Sequence, residues 1–351
     1  MDGHKTAPAR PANFITVLSV VSALAVVFLH VNGVYWHFDA NTFTWRSANV
    51  IECVFYFAVP VFFMIAGANL IDYRDRYSTK EYCKKRAVKT VIPFLVWTAL
   101  GTVYRLVLRE IAWTDLSFGY LVNGFFNSTL VGVYWFFFPL FGVYACIPLL
   151  SAVEKEKRKS LFTGLAILCF VCNCLIPFIL TLCNAPFSWP VTVSVGSGYL
   201  LYVLTGYLLK NNTPSAPLRA ALYALALAGL LLHIFGTLRL SAAAGEIVSA
   251  FKGYNNVPCI LYATGIFVLI KQLSAYILRF SAVSKAFSFL GRYTFAVYLM
   301  HWYVLNVFAK LPFFNTYALS YRLFMPFAVF GICVLAASVM RKIPVLRHIV
   351  P

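Results

Sequence analysis

The chain has 351 residues, of which 61% are hydrophobic and only 11% charged. Soluble domains carry about 45–50% apolar and about 25% charged residues, and a water-soluble globule of this length has no interior large enough for the excess. A soluble enzyme, a secreted disulfide scaffold and a disordered chain are excluded, leaving a polytopic membrane protein, read as one domain over residues 1–351. The net charge of +18 comes from 29 Lys+Arg against 11 Asp+Glu. In a membrane chain it reads as the basic bias of cytoplasmic loops rather than as a nucleic-acid surface.

A spanning helix needs about 20 mostly apolar residues. Ten stretches meet that test, some barely: 14–36, 49–71, 90–108, 131–150, 161–182, 191–209, 220–238, 254–270, 293–308 and 323–340. The expected fold is therefore all-α, a membrane bundle of about ten transmembrane helices with short tails at 1–13 and 341–351. No small-residue cleavage site follows the first stretch, which is longer than a signal-peptide core and reads as a permanent helix. Residues 118–126 are apolar but too short to span, which suits the interface. With ten spans, most basic residues fall on the side holding both termini. That side is then the cytoplasm, and the chain is multi-pass in the cell (plasma or inner) membrane. The basic residues left on the outer side, Arg105 and Arg109 among them, read as snorkelling anchors. The sequon at Asn127 also falls there.

Nine cysteines lie mostly within apolar runs. Cys169, Cys172 and Cys174 have ligand-like spacing, but no His or carboxylate accompanies them. They read as small packing residues, and neither a metal site nor a permanently bound cofactor is expected.

Ionisable groups in hydrocarbon are expensive and usually face a cavity or a partner. Four stand out: His30, Glu52, His233 and His301. His30 lies about 24 Å up its helix from Phe14. Glu52 falls at a similar depth on the next helix, so the two can meet, and a carboxylate there would raise the basicity of the imidazole. The residues alone leave His30 as a packed group, a proton relay or a general base, and leave Glu52 either beside it or in the wet interface. His233 has no polar companions and reads as packing. His301 sits among Tyr298, Trp302, Tyr303 and Asn306, which reads as a pocket wall. On the basic run before the third stretch, Arg86 and Lys89 are three residues apart on one helical face. There they can hold phosphates at the mouth of the bundle.

Six runs in this order resemble the acyltransferase 3 family of integral membrane acyltransferases. They are LSVVSALAVVFLH at 18–30, VPVFFMIAGANL at 59–70, KKRAVKTVIPFLVW at 84–97, YWFFFPLFGVYACIPLL at 134–150, YLLYVLTGYLL at 199–209 and LGRYTFAVYLMHWYVL at 290–305. The resemblance covers nearly the whole chain. It implies that His30 is catalytic, as a general base or as a nucleophile that carries the acyl group, that the donor is acyl-CoA (acetyl-CoA first), and that the acceptor is a hydroxyl of a cell-surface or lipid-linked sugar. Membrane lipid surrounds the enzyme. Within that reading Glu52 assists His30, Arg86 and Lys89 hold the donor, and Trp135, His301 and Tyr303 line the acceptor side. The chain departs from the family at Ser19, where an arginine is usual eleven residues before the histidine, and at Val133, where relatives often carry histidine. The competing reading is a transporter or flippase exporting a glycan or another anionic molecule. It lacks the inverted repeat and the paired broken segments expected of that class.

Overall fold

The structure, a computed structural model, describes residues 11–185 and 191–351. It is all-helical, with no β-strand among the described residues. In chain order α1 spans Phe14–Val31, α2 Phe43–Asp75, α3 Thr79–Val107 and α4 Phe118–Phe126. Next come α5 Gly132–Ala152, α6 Lys155–Leu182, α7 Leu200–Asn211 and α8 Ala216–Ala244. The last four are α9 Val257–Ile277, α10 Ser281–Gly291, α11 Thr294–Ala309 and α12 Leu319–Met340. Most of the 1–13 tail lies outside the described residues.

Eight of these helices (α1, α2, α3, α5, α6, α8, α9 and α12) are long and apolar enough to cross a membrane. The protein is a multi-pass membrane protein. Two of the ten stretches expected to span are shorter helices: α7 has 12 residues and α11 has 16. The turn before α7 takes positive φ at Gly196, Ser197 and Gly198, which delays the helix to Leu200. Both short helices are walled by protein, with Val203 and Leu204 of α7 and Val297 and Leu299 of α11 fully or almost fully buried. Irregular backbone at membrane depth is tolerated where protein rather than lipid surrounds it.

Local chemistry fixes several helix features that position the site. Asn13 caps α1, accepting from the Thr16 amide at 3.0 Å while Thr16 Oγ1 accepts from the Asn13 amide at 3.4 Å. This reciprocal box sets where α1 begins and leaves His30 one residue from its end. Within α2 the helix breaks at Tyr56 and Phe57, just before Pro60, whose ring clashes with the carbonyl four residues earlier. Widened π turns interrupt α3 at Ala87–Val91, α6 at Val171–Leu175 and α8 at Leu232–Gly236. The first two run directly into Pro93 and Pro177, which lack the amide that would continue the tighter ladder.

The tightest crossing joins α2 to α7. A Cβ on Gly67 would sit 1.9 Å from the Val203 carbonyl oxygen, and one on Gly206 would sit 2.0 Å from that of Met64. Small residues allow such backbone approach between membrane helices. Because the obstacle is backbone, Gly67→Ala or Gly206→Ala is expected to cost at least about 1–3 kcal/mol, read as a lowered unfolding midpoint in detergent. An unchanged midpoint would contradict this packing.

One face of the bundle gathers most of the cations, several of them neutralised across helices. Asp72 of α2 bonds Arg158 of α6 at 2.9 Å and Lys210 of α7 at 3.0 Å, and Asp75 bonds Lys155 at 2.6 Å. Arg341, just past α12, donates to the Arg292 carbonyl at 2.7 Å. The opposite face carries the end of α1 and the first turns of α2.

Candidate active site

His30 and His301 form the centre of the site. The His30 Nδ1 lies 2.8 Å from the Val26 carbonyl oxygen, one turn back on α1. A carbonyl only accepts, so Nδ1 carries the proton and Nε2 is the lone-pair nitrogen of the neutral ring. His301 repeats the arrangement on α11, with Nδ1 2.7 Å from the Tyr298 carbonyl and 3.2 Å from that of Val297. Its ring is fully buried, and its Nε2 has no partner among the described residues. The two imidazole centroids lie 4.7 Å apart, tilted by 53°. His30 is half-buried and lines a cavity of about 260 Å³.

That cavity also meets Trp36, Glu52, Tyr56, Trp135, Lys252, Tyr254 and Tyr298. Its polar feature is a buried ion pair. Lys252 Nζ is 3.2 Å from Glu52 Oε1, and both side chains are only 5% exposed. The ammonium is boxed by the rings of Tyr35, Trp36 and Tyr56, at 4.7, 4.7 and 4.5 Å from their centroids, close enough for cation–π attraction. Glu52 Oε2 is buried without a partner among the described residues. Tyr56 stacks on Tyr254 at 4.3 Å, and Tyr254 in turn on Trp135 at 5.5 Å. His233 packs edge-on against Tyr56 at 5.1 Å.

A second cavity, of about 170 Å³, adjoins the first. Arg86, Asn69, Tyr144 and Thr294 line it together with apolar groups such as Phe62, Phe136 and Phe295. The Arg86 guanidinium lies over Tyr144 and Tyr82, 5.5 and 5.9 Å from their centroids. Its Nε has no partner among the described residues. Tyr298 belongs to the lining of both cavities, and its hydroxyl donates to the Val133 carbonyl at 2.5 Å. Tyr298 is thus common to the pocket that Arg86 lines and the one that holds His30.

The expected site residues therefore part company. His30, Glu52 and Trp135 share one cavity, His301 lies buried behind His30, and Arg86 lines the neighbouring cavity. Lys89 is exposed and outside both linings. The one-face argument fails because a π turn at Ala87–Val91 separates the two cations, and that turn spreads five residues over a hydrogen bond instead of four. Tyr303 also lies outside both linings. Its hydroxyl donates to the Trp97 carbonyl at 2.5 Å, tying α11 to α3. The expected partnership of His30 with Glu52 is replaced by the pair of Glu52 with Lys252.

Sequence reasoning missed Lys252, which it left among the outer-side anchors, and Arg322. Arg322 is 1% exposed and donates to Ser47 Oγ at 2.9 Å and to the Thr44 carbonyl at 3.2 Å. The available signal was context. Lys252 lies in FKGYNN, just before the 254–270 apolar run but flanked by aromatic and amide residues. Arg105 is no free anchor either, donating to the Thr129 and Leu130 carbonyls at 2.7 and 3.2 Å.

Membrane-spanning helices enclosing a cavity lined by His30, with His301 packed behind it, define an integral membrane protein with a polar internal pocket. The chain belongs to the acyltransferase 3 family: the family model, described as an acyltransferase domain, matches residues 13–341. A search of curated proteins and a search of solved structures each returned no match. The protein is a membrane acyltransferase.

Proposed function

We propose that this acyltransferase moves an acyl group, acetyl in the simplest case, from acyl-CoA to a hydroxyl of a cell-surface or lipid-linked sugar. The observation that carries the reading is the pair of cavities sharing the Tyr298 wall, one lined by Arg86 and the other by His30. CoA is a polyanion that stays in the cytoplasm. In this reading its phosphates rest at Arg86 on the basic face, while Lys89 adds only long-range attraction. An extended pantetheine arm reaches on the order of 20 Å, comparable with the rise of α1 up to His30. The membrane is the plasma membrane, or the inner one of a two-membrane envelope, with the basic face inward.

His30 Nε2 then serves as general base. It takes the proton of the acceptor hydroxyl as that oxygen attacks the thioester carbon. The C–S bond breaks, the ester forms, and the proton passes from His30 to the departing CoA sulfur. His301 backs the ring and fixes its position. Glu52, whose Oε1 pairs with Lys252, offers its Oε2 to accept a bond from the sugar, and Trp135 and Tyr254 offer faces for a sugar ring to stack on.

Purified protein given labelled acetyl-CoA and a membrane glycan fraction is expected to release free CoA in step with label transferred. Glycan export without CoA release would overturn the reading in favour of a transporter. Arg86→Glu is expected to raise the donor KM by about tenfold or more, the scale of a lost charge-assisted hydrogen bond. Lys89→Glu should change it much less. An unaltered donor KM in Arg86→Glu would remove Arg86 from the donor site.

A further inference from the structure

We propose that the basic face carries a second anion site, separate from the Arg86 cavity and built to hold a phosphate ester of an anionic phospholipid. It is a pocket of about 330 Å³ between α8 and α9, lined by Thr213, Arg219, Lys271, Gln272, Tyr276 and Arg279 among others. Arg219 of α8, Lys271 of α9 and Arg279 just past the end of α9 all line it, and no carboxylate does. None of the three forms an ion pair among the described residues, in contrast to Arg158, Lys210 and Lys155 on the same face. Asp72 neutralises Arg158 and Lys210, and Asp75 neutralises Lys155.

The three cations are aimed rather than loose. Arg219 Nη1 donates to the Pro214 carbonyl at 2.8 Å and Arg279 Nε to the Ala275 carbonyl at 3.1 Å. Lys271 Nζ donates to the Leu209 and Lys210 carbonyls at 2.6 and 3.1 Å. Each arginine uses one N–H of its five, so the remaining guanidinium donors stay available for the phosphate oxygens. Gln272 is steadied by the Tyr223 hydroxyl, 2.7 Å away.

The surroundings select an amphiphile. Next to the lining residues in the chain, Leu218, Leu273 and Phe280 are exposed, as is Tyr276 of the lining itself. A ligand seated there has its charged head among three cations and an apolar wall leading along α8 and α9. Basic pockets between membrane helices on the cytoplasmic side suit phospholipid headgroups for this reason.

The test compares the full chain with Arg219→Gln/Arg279→Gln in phosphatidylcholine nanodiscs containing graded phosphatidylglycerol. Lys80→Gln/Lys84→Gln serves as a control that removes equal charge elsewhere on the face. Lys271 is left intact because it also caps α7. Native mass spectrometry should show one retained phosphatidylglycerol whose binding weakens about 30-fold in the double variant and little in the control, at about fivefold per cation. A second arm adds adenosine 3′,5′-bisphosphate to discs of phosphatidylcholine alone. Binding there that the same double variant abolishes keeps the phosphate chemistry and assigns its source to a soluble ester. Retention of both ligands by the double variant at the control's level overturns the proposal, and neither arm depends on acyl transfer being observed.

Discussion

Replacing His30 with alanine is expected to lower kcat for transfer from acetyl-CoA by about 10²–10⁴-fold, the usual worth of a positioned general base. The fold should survive. The ring is half-buried, and its hydrogen bond, to Val26 of its own helix, ties no second element together. The unfolding midpoint and the donor KM should therefore stay close to those of the parent, separating lost chemistry from lost structure. His301→Ala removes a fully buried side chain and should cost stability as well as rate. If His30→Ala retained full transfer in protein of undiminished stability, the imidazole would have no part in the reaction.

The second large effect concerns Lys252. Converting it to methionine leaves Glu52 as a buried carboxylate without its 3.2 Å partner, and breaking a buried pair costs about 3–5 kcal/mol. Lys252→Met should thus lower the unfolding midpoint strongly and weaken transfer. Adding Glu52→Gln removes the stranded charge and should restore most of the stability. Transfer should not return with it, because the amide no longer presents a carboxylate oxygen to the acceptor. Recovery of both properties in Lys252→Met/Glu52→Gln would reduce the pair to a structural contact.

Composition and apolar run length made the membrane class and the all-helical fold legible, because hydrocarbon leaves a backbone few alternatives to the helix. Helix lengths were less so. The segment holding α7 reads as apolar over 191–209, yet the positive-φ turn at 196–198 shortens the helix to 12 residues. Hydropathy does not register that turn. His30 was visible because one ionisable group stood out in an apolar run, and His301 because polar neighbours surrounded it. Their 4.7 Å approach depends on how α1 meets α11, which no local pattern encodes. Lys252 was overlooked because a lysine near a span end reads as an anchor unless the aromatic box that closes over it is seen. Arg86 and Lys89 were grouped on the assumption of regular α geometry, which the π turn before Pro93 breaks.

Sidedness is the most direct probe of the idea that a thioester reaches His30 from the cationic face. Protein reconstituted in one orientation in sealed vesicles, with a glycan acceptor at the face that carries His30, would receive labelled acetyl-CoA on one side at a time. Label should reach the glycan only when the donor is supplied at the Arg86 face, and His30→Ala should abolish it. Equal labelling from either side, or labelling that persists in His30→Ala, would contradict a donor path through the bundle.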